Sequence, residues 1–153
     1  MLRASMIWLL AGAMAGAGMM ADPYIPGAWR VWLAPTHGHM LFVGWFVQFA
    51  VGVAYWLLPR RRSPALPLGY RERPAFIAMA ALNLGLLARV AAEPVERSGH
   101  AADWTSLTLV GSGALQALAL AIVVGQLWPR VAPRPVRRAA EREPAAPPAA
   151  ERM

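Results

Sequence analysis

The sequence predicts an all-α integral membrane protein: a bundle of four transmembrane helices followed by a disordered C-terminal tail. Of the 153 residues, 58% are hydrophobic, a proportion typical of membrane proteins. Four long apolar segments alternate with polar loops that contain proline. From residue 129 onward the chain is rich in Pro, Ala, Arg and Glu, too polar to bury a core. The helical domain is therefore expected at 1–128 and the tail at 129–153.

Apolar runs and their flanking residues set the predicted helix boundaries, at about residues 5–20, 36–58, 75–92 and 104–128. At about 1.5 Å per residue, the second helix is roughly 35 Å long, enough to cross a bilayer. Thr36 is its expected N-cap. The third helix is expected to stop before Pro94, since proline lacks the amide hydrogen of a helix interior.

The first segment has two interpretations. It is short and rich in Ala, Gly and Met, and A-x-A patterns occur at Ala11–Ala13 and Ala15–Ala17, so a cleaved signal peptide is the alternative to a retained helix. The apolar run is longer than a typical signal core, which favours the retained helix. Cleavage would leave three crossings.

Arginine supplies all of the basic residues, and its distribution predicts the orientation. Most arginines lie at the N-terminus, in the loop 60–74 and in the tail. By the positive-inside rule, both termini face the cytoplasm. The arginine-only, alanine-rich composition suggests a bacterial genome, so the inner membrane is the expected location. His37, His39 and His100 then fall on the outer side.

Composition also excludes several classes of function. The chain has no cysteine, so disulfides, thiolate metal sites and cysteine nucleophiles are excluded. A net charge of +7 would suggest nucleic-acid binding if it formed one face of a soluble fold. Here the arginines cluster at segment ends and in the tail. We therefore expect the lipid bilayer, and no nucleic acid, as a partner.

Helical spacing along the second segment separates its two histidines. His37 shares a stripe of small and polar residues that should face protein, namely Leu41, Gly44, Gln48, Gly52 and Tyr55. His39 shares an apolar stripe that suits lipid or another subunit, with Phe42, Val43, Phe46, Ala50 and Val53. Positions two apart point about 200° away from each other. The pair is therefore poorly placed to chelate one ion unless Gly38 breaks the turn.

Small residues recur at helical spacing on the other segments. They are Gly12 and Gly16; Ala81, Gly85 and Ala88; and Gly113, Ala117, Ala121 and Gly125. Such stripes predict close helix packing, with alanine-rich composition as the alternative explanation. Among the polar residues at membrane depth, Gln48, Asn83 and Gln116 are expected to form hydrogen bonds between helices. Arg89 is expected to pair with Glu93 at i+4 or to extend its charged group to the membrane interface. A third interpretation is that it faces the propionate of a bound haem.

Two histidines at a helix entrance make a metal or haem site a functional hypothesis. His37 or His39 would be the first axial haem ligand, and His100 or a histidine from another copy the second. Gly44, two turns below His37, would give a porphyrin access to the backbone. Histidines satisfied by water or lipid headgroups are the alternative. Copper binding by His37 and His39 with Met19 and Met20 is a further, minor possibility.

The run T-H-G-H-M-L-F-V-G-W and the following G-V-A-Y-W-L-L-P, together Thr36 to Pro59, resemble a known helix. They resemble the second transmembrane helix of haem–copper oxidase subunit I and of the nitric-oxide reductase large subunit. The similarity is greatest to small oxidase-subunit-I-like proteins with H-x-H-x-N-L-L-G-W and G-x-x-Y-x-x-x-P. It implies a low-spin haem b held by a histidine at the outer end of this helix.

The chain lacks the later helix that carries the remaining histidines of the large enzymes, so reduction of dioxygen or nitric oxide by this chain alone is not expected. The expected function is a small b-type haem-binding protein or accessory subunit in electron transfer or in sensing of O2 or NO. The alternative is a non-haem accessory or assembly protein that packs against a respiratory complex. Expected partners are a second copy or respiratory-complex subunits.

Overall fold

The computed structural model describes residues 1–21, 27–59, 64 and 66–131, and this part of the chain folds into four helices. They are α1 (Leu2–Met20), α2 (Trp29–Leu57), α3 (Glu72–Arg97) and α4 (Asp103–Val131). Each is long and apolar enough to cross a membrane. The predicted all-α class, with four helices of membrane-spanning length, is thus confirmed for the described residues. Residues 132–153 of the predicted tail and the arginine run 60–62 lie outside the described residues.

Helices that follow each other in the chain pack against each other. α1 lies along α2, α2 lies on α3, and α3 and α4 form the most extensive contact. Successive helices run antiparallel; for example, Thr36 and Gln48 of α2 bond Glu93 and Asn83 of α3. We call the end that carries His37, His39 and His100 the histidine end, and the end that carries Met1 and Val131 the terminal end.

Three helices extend through a proline that was predicted to lie outside them. α2 begins at Trp29 and contains Pro35, α3 continues through Pro94, and α4 contains Pro129. A proline costs a helix one backbone hydrogen bond, and each of these lies within about two turns of a helix end. The predicted start at Thr36, the stop before Pro94 and the tail boundary at residue 129 were therefore wrong by up to two turns.

The middle of α2 is not an α-helix. Residues Met40–Val47 are π-helical, between α-helical stretches at Trp29–His39 and Gln48–Leu57. Its buried residues are Met40 and Gly44. A Cβ atom built on Gly44 would lie 2.6 Å from Trp8 Cγ and 2.7 Å from Leu86 Cδ2. This segment is therefore a point of very close approach between α1, α2 and α3.

The apolar core consists of two clusters. One joins α1, α2 and α3 through Trp8, Met40 and Leu86. The other lies nearer the terminal end and joins α2, α3 and α4 through Tyr55, Ala78, Ala81, Leu82, Ala119 and Val123. Among the buried residues of α2, Gly44, Gln48 and Tyr55 belong to the predicted His37 stripe, whereas Thr36 and Met40 do not. Phe42 and Phe46 of the other stripe are exposed.

Small residues mediate close contacts on α1 and α3 but not along the predicted stripe of α4. Gly12 packs on Leu41, and Gly85 packs on the backbone of Ser112, as predicted. No neighbouring atom lies within 4 Å of the Cβ position of Gly113 or Gly125, so that part of the prediction was wrong. The buried residues of α4 are Thr105, Ser112, Ala119, Val123 and Arg130. An alanine-rich helix presents small residues on several faces, so spacing alone did not identify the buried one.

Candidate functional site

A buried carboxylate at the histidine end links α2 to α3. Glu93 is 5% exposed and accepts a hydrogen bond of 3.0 Å from the Thr36 hydroxyl on Oε2. Its Oε1 lies 3.6 Å from Arg89 Nη1 and 3.9 Å from Arg97 Nε, and its Oε2 lies 3.5 Å from His39 Nδ1. We call these five residues the Glu93 cluster.

Charge balance explains why this carboxylate stays buried. Arg89 carries a permanent charge on a side chain that is only 21% exposed, and a buried charge is tolerated when it is paired and hydrogen-bonded. Arg97 is half-exposed and adds a second positive charge. The predicted pairing of Arg89 with Glu93 at i+4 is confirmed. The role of Arg89 toward a haem propionate stays a prediction.

The predicted ligand residues point in different directions. The His37 ring faces α1, where Nδ1 lies 2.9 Å from the Gly12 carbonyl oxygen and Cε1 would lie 2.9 Å from a Cβ on Gly16. His39 faces α3 and places Nδ1 2.9 Å from the Pro35 carbonyl oxygen. His100 is exposed in the α3–α4 loop, with Nδ1 3.0 Å from Ser98 Oγ. The divergence of His37 and His39 follows from their spacing.

These placements do not fit a haem held inside the bundle by His37 and His100. The surface of Gly44, expected to admit a porphyrin, is filled by Trp8 and Leu86. The ring of His37 lies against Gly16 of α1, and its Nδ1 lies at the Gly12 carbonyl oxygen of the same helix. Within residues 1–21, 27–59 and 66–131, no group of three His, Asp or Glu side chains is arranged to hold a metal ion. Copper binding by the histidines with Met19 and Met20 stays a prediction.

A polar network crosses the middle of the bundle. Trp8 Nε1 donates to Asn83 Oδ1 at 2.8 Å, and Asn83 Nδ2 donates to Gln48 Oε1 at 2.8 Å. These bonds tie α1, α3 and α2 together. The predicted bonding of Gln48 and Asn83 between helices is thus confirmed, whereas Gln116 donates to Ser112 within its own helix. Sequence reasoning missed Trp8, although a buried indole N–H requires an acceptor.

Replacing Asn83 with leucine should lower the free energy of unfolding by about 1–2 kcal/mol, because Trp8 Nε1 and the Gln48 amide lose their partner across helices. Unfolding in mixed detergent micelles, followed by circular dichroism, measures this change. Gln116→Leu is the matched control, since its bond lies within one helix, and it should cost less. Equal losses in the two variants would contradict the proposed network.

Arg130 caps α2 at the terminal end. Its Nε donates to the Pro59 carbonyl oxygen at 3.1 Å, and its Nη2 donates to the carbonyl oxygens of Tyr55 and Leu58. The last carbonyl groups of a helix lack partners within it, so this guanidinium satisfies the end of α2. The prediction had placed Arg130 in the tail. Its position after a run of apolar residues was the available signal, since basic residues favour helix C-termini.

In the part of the chain that the structure describes, fold and site together define an all-α protein with four helices of membrane-spanning length and a buried ionic cluster near one end. No protein-family model matches the sequence, no curated protein is detectably similar to it, and no solved structure shows a detectable similarity.

Proposed function

We propose that the chain is a non-catalytic integral membrane protein, an accessory or assembly subunit that packs against a partner in the bilayer. One observation carries this proposal. The residues that resemble an oxidase haem-binding helix make packing contacts within the chain, since His37 contacts Gly12 and Gly44 lies under Trp8. The resemblance makes a respiratory complex in a bacterial inner membrane the first candidate partner.

Haem b binding, in electron transfer or in gas sensing, is the second candidate, and the position of His39 favours it. The His39 side chain is 34% exposed. A proton on Nδ1 donated to the Pro35 carbonyl oxygen would leave the Nε2 lone pair for a metal, the arrangement common in metal-ligating histidines. Such a haem would supply one-electron chemistry. The second axial ligand would come from another chain.

A reduced-minus-oxidised absorbance spectrum separates the two candidates. For protein purified in detergent from haem-supplied cells, we expect no sharp α band. His37→Ala should instead lower the thermal unfolding temperature, because it removes the contact with Gly12 and leaves a void beside Gly16. A sharp α band that His39→Ala abolishes would replace the first candidate with the second. A band that only His37→Ala abolishes would contradict both assignments.

The partner is tested separately in native membranes. Deletion of the gene should lower the yield or activity of the associated respiratory complex, and restoring the chain should recover it. His39→Ala should also recover it if the chain is a non-haem subunit, because His39 is not part of a packing cluster of apolar residues. Unchanged respiratory complexes after deletion would contradict an accessory role.

A further inference from the structure

The charge of Arg130 is buried at the terminal end without an acidic partner among the described residues. Arg130 is 7% exposed. Its bonded nitrogens donate to backbone carbonyl oxygens, and Nη1 has no hydrogen-bond partner. Carbonyl dipoles solvate a guanidinium but do not neutralise it. Since an unneutralised charge near the membrane interior is costly, an anion is expected beside Nη1.

A cavity of about 370 Å³ adjoins this guanidinium. Among the described residues, its polar lining consists of Tyr70, Arg71, Gln126 and Arg130, and none of these described lining residues is acidic. Both polar atoms of the Gln126 amide are buried without a partner. The cavity is thus lined by two positively charged side chains and by a glutamine whose buried amide lacks both an acceptor and a donor. Buried polar atoms of this kind require a partner.

We propose that this cavity binds the headgroup of an anionic phospholipid that carries hydroxyl groups, of the phosphatidylglycerol type. The free N–H groups of Arg130 and Gln126 would donate to phosphate oxygens, and Arg71 would add the second positive charge. A guanidinium matches phosphate geometry particularly well. The Gln126 carbonyl oxygen would accept a hydrogen bond from a headgroup hydroxyl, which the ionised phosphodiester group itself does not offer.

The surroundings of the cavity favour a lipid over a soluble anion. Trp128 and Val124 precede the lining residues Pro129 and Gly125 in α4, and they are 73% and 55% exposed. Tryptophan concentrates at the membrane interface, and basic pockets between transmembrane helices bind anionic headgroups. Acyl chains would lie along this exposed apolar surface. Lipid binding at this cavity requires that the chain lie in a bilayer, and it requires neither a particular partner protein nor a bound haem.

The test uses the full chain, delipidated in a non-ionic detergent, with tryptophan fluorescence reporting thermal unfolding. Phosphatidylglycerol should raise the unfolding temperature in a saturable manner, and phosphatidylcholine at the same mole fraction should not. Equal shifts with the two lipids would overturn the proposal. Inorganic phosphate should have no effect at matched concentration; a saturating shift with phosphate alone would assign the cavity to a soluble anion and overturn the lipid assignment.

Amino-acid substitutions test whether phosphatidylglycerol acts at this cavity. Arg71→Gln and Gln126→Leu should each weaken the apparent affinity for phosphatidylglycerol by about tenfold, while both leave the Arg130 cap of α2 in place. Arg73→Gln makes the same charge change two residues away, outside the cavity lining, and should retain full affinity. Equal weakening by the two arginine variants would show attraction to general surface charge and overturn the site.

The chain's own tail is the remaining competitor. A variant with Glu141, Glu143 and Glu151 changed to glutamine should respond to phosphatidylglycerol as the unaltered chain does. A response that arises only in this variant would assign the cavity to a tail carboxylate and overturn the proposal. None of these measurements reads haem binding or complex assembly, so their failure is distinguishable from failure of the proposed function.

Discussion

Replacing Gly44 with leucine is expected to lower the free energy of unfolding by more than about 3 kcal/mol. A Cβ at this position would meet Trp8 Cγ at 2.6 Å, Leu86 Cδ2 at 2.7 Å and Trp8 Cβ at 2.8 Å. The Trp8 atoms are the base of a bulky ring, so relief requires α1 to move away. That movement would also stretch the bond from Trp8 to Asn83. Reversible unfolding in mixed micelles measures the loss.

Gly113→Leu is the matched control for this substitution. The Cβ position of Gly113 has no neighbour within 4 Å, and leucine is the better helix former by roughly 0.8 kcal/mol. The control variant should therefore be neutral or more stable. Similar losses in the two variants would contradict the close approach at Gly44. A small loss at Gly44, together with a shortened N-terminus in mass spectrometry, would instead support cleavage of α1.

Replacing Glu93 with leucine is expected to lower the free energy of unfolding by about 3 kcal/mol, because removal of one partner leaves a largely buried charge unpaired. Arg89 would lose its paired carboxylate, and Thr36 would lose its acceptor. Glu72→Leu, at an exposed position near the terminal end, is the control and should change stability by less than about 0.5 kcal/mol.

A double-mutant cycle identifies the source of that loss. Arg89→Met removes the buried charge, so Glu93→Leu should cost markedly less in its presence, with a coupling of about 1–2 kcal/mol. Additive losses would show that Arg89 is solvated independently and that the Glu93 cluster is not a paired unit. The partial exposure of Arg97 and His39 reduces their expected coupling to Glu93.

The four helices were predictable because apolar length is a property of each segment alone. Their ends were not, since a proline near a helix end costs only one hydrogen bond and tertiary contacts outweigh it. Pro94 is the informative case. By continuing through it, α3 brings Glu93, assigned to a loop from the sequence, onto a helix face where Arg89 and Arg97 lie one turn on either side.

From the sequence, the candidate site could be predicted only where its geometry is set within a single helix. Helical spacing showed that His37 and His39 diverge and that Arg89 reaches Glu93. It could not show that Thr36 bonds Glu93 or that Arg130 reaches the end of α2, since those pairs are distant in sequence. It also could not show that Trp8 would fill the surface of Gly44, because a stripe of small residues does not specify its neighbour.

The π-helical turns at Met40–Val47 have a consequence for the angular phase of α2. Their i→i+5 bonding holds more residues per turn than an α-helix, so the stretch fixes how the halves on its two sides are rotated relative to each other. Loss of one residue here would rotate the two halves relative to each other, by less than the roughly 100° that one residue of an α-helix contributes. Gln48 would keep facing Asn83 while the imidazole of His37 swung off Gly12. The number of residues in this stretch therefore sets the direction in which the side chains of α2 face at the histidine end.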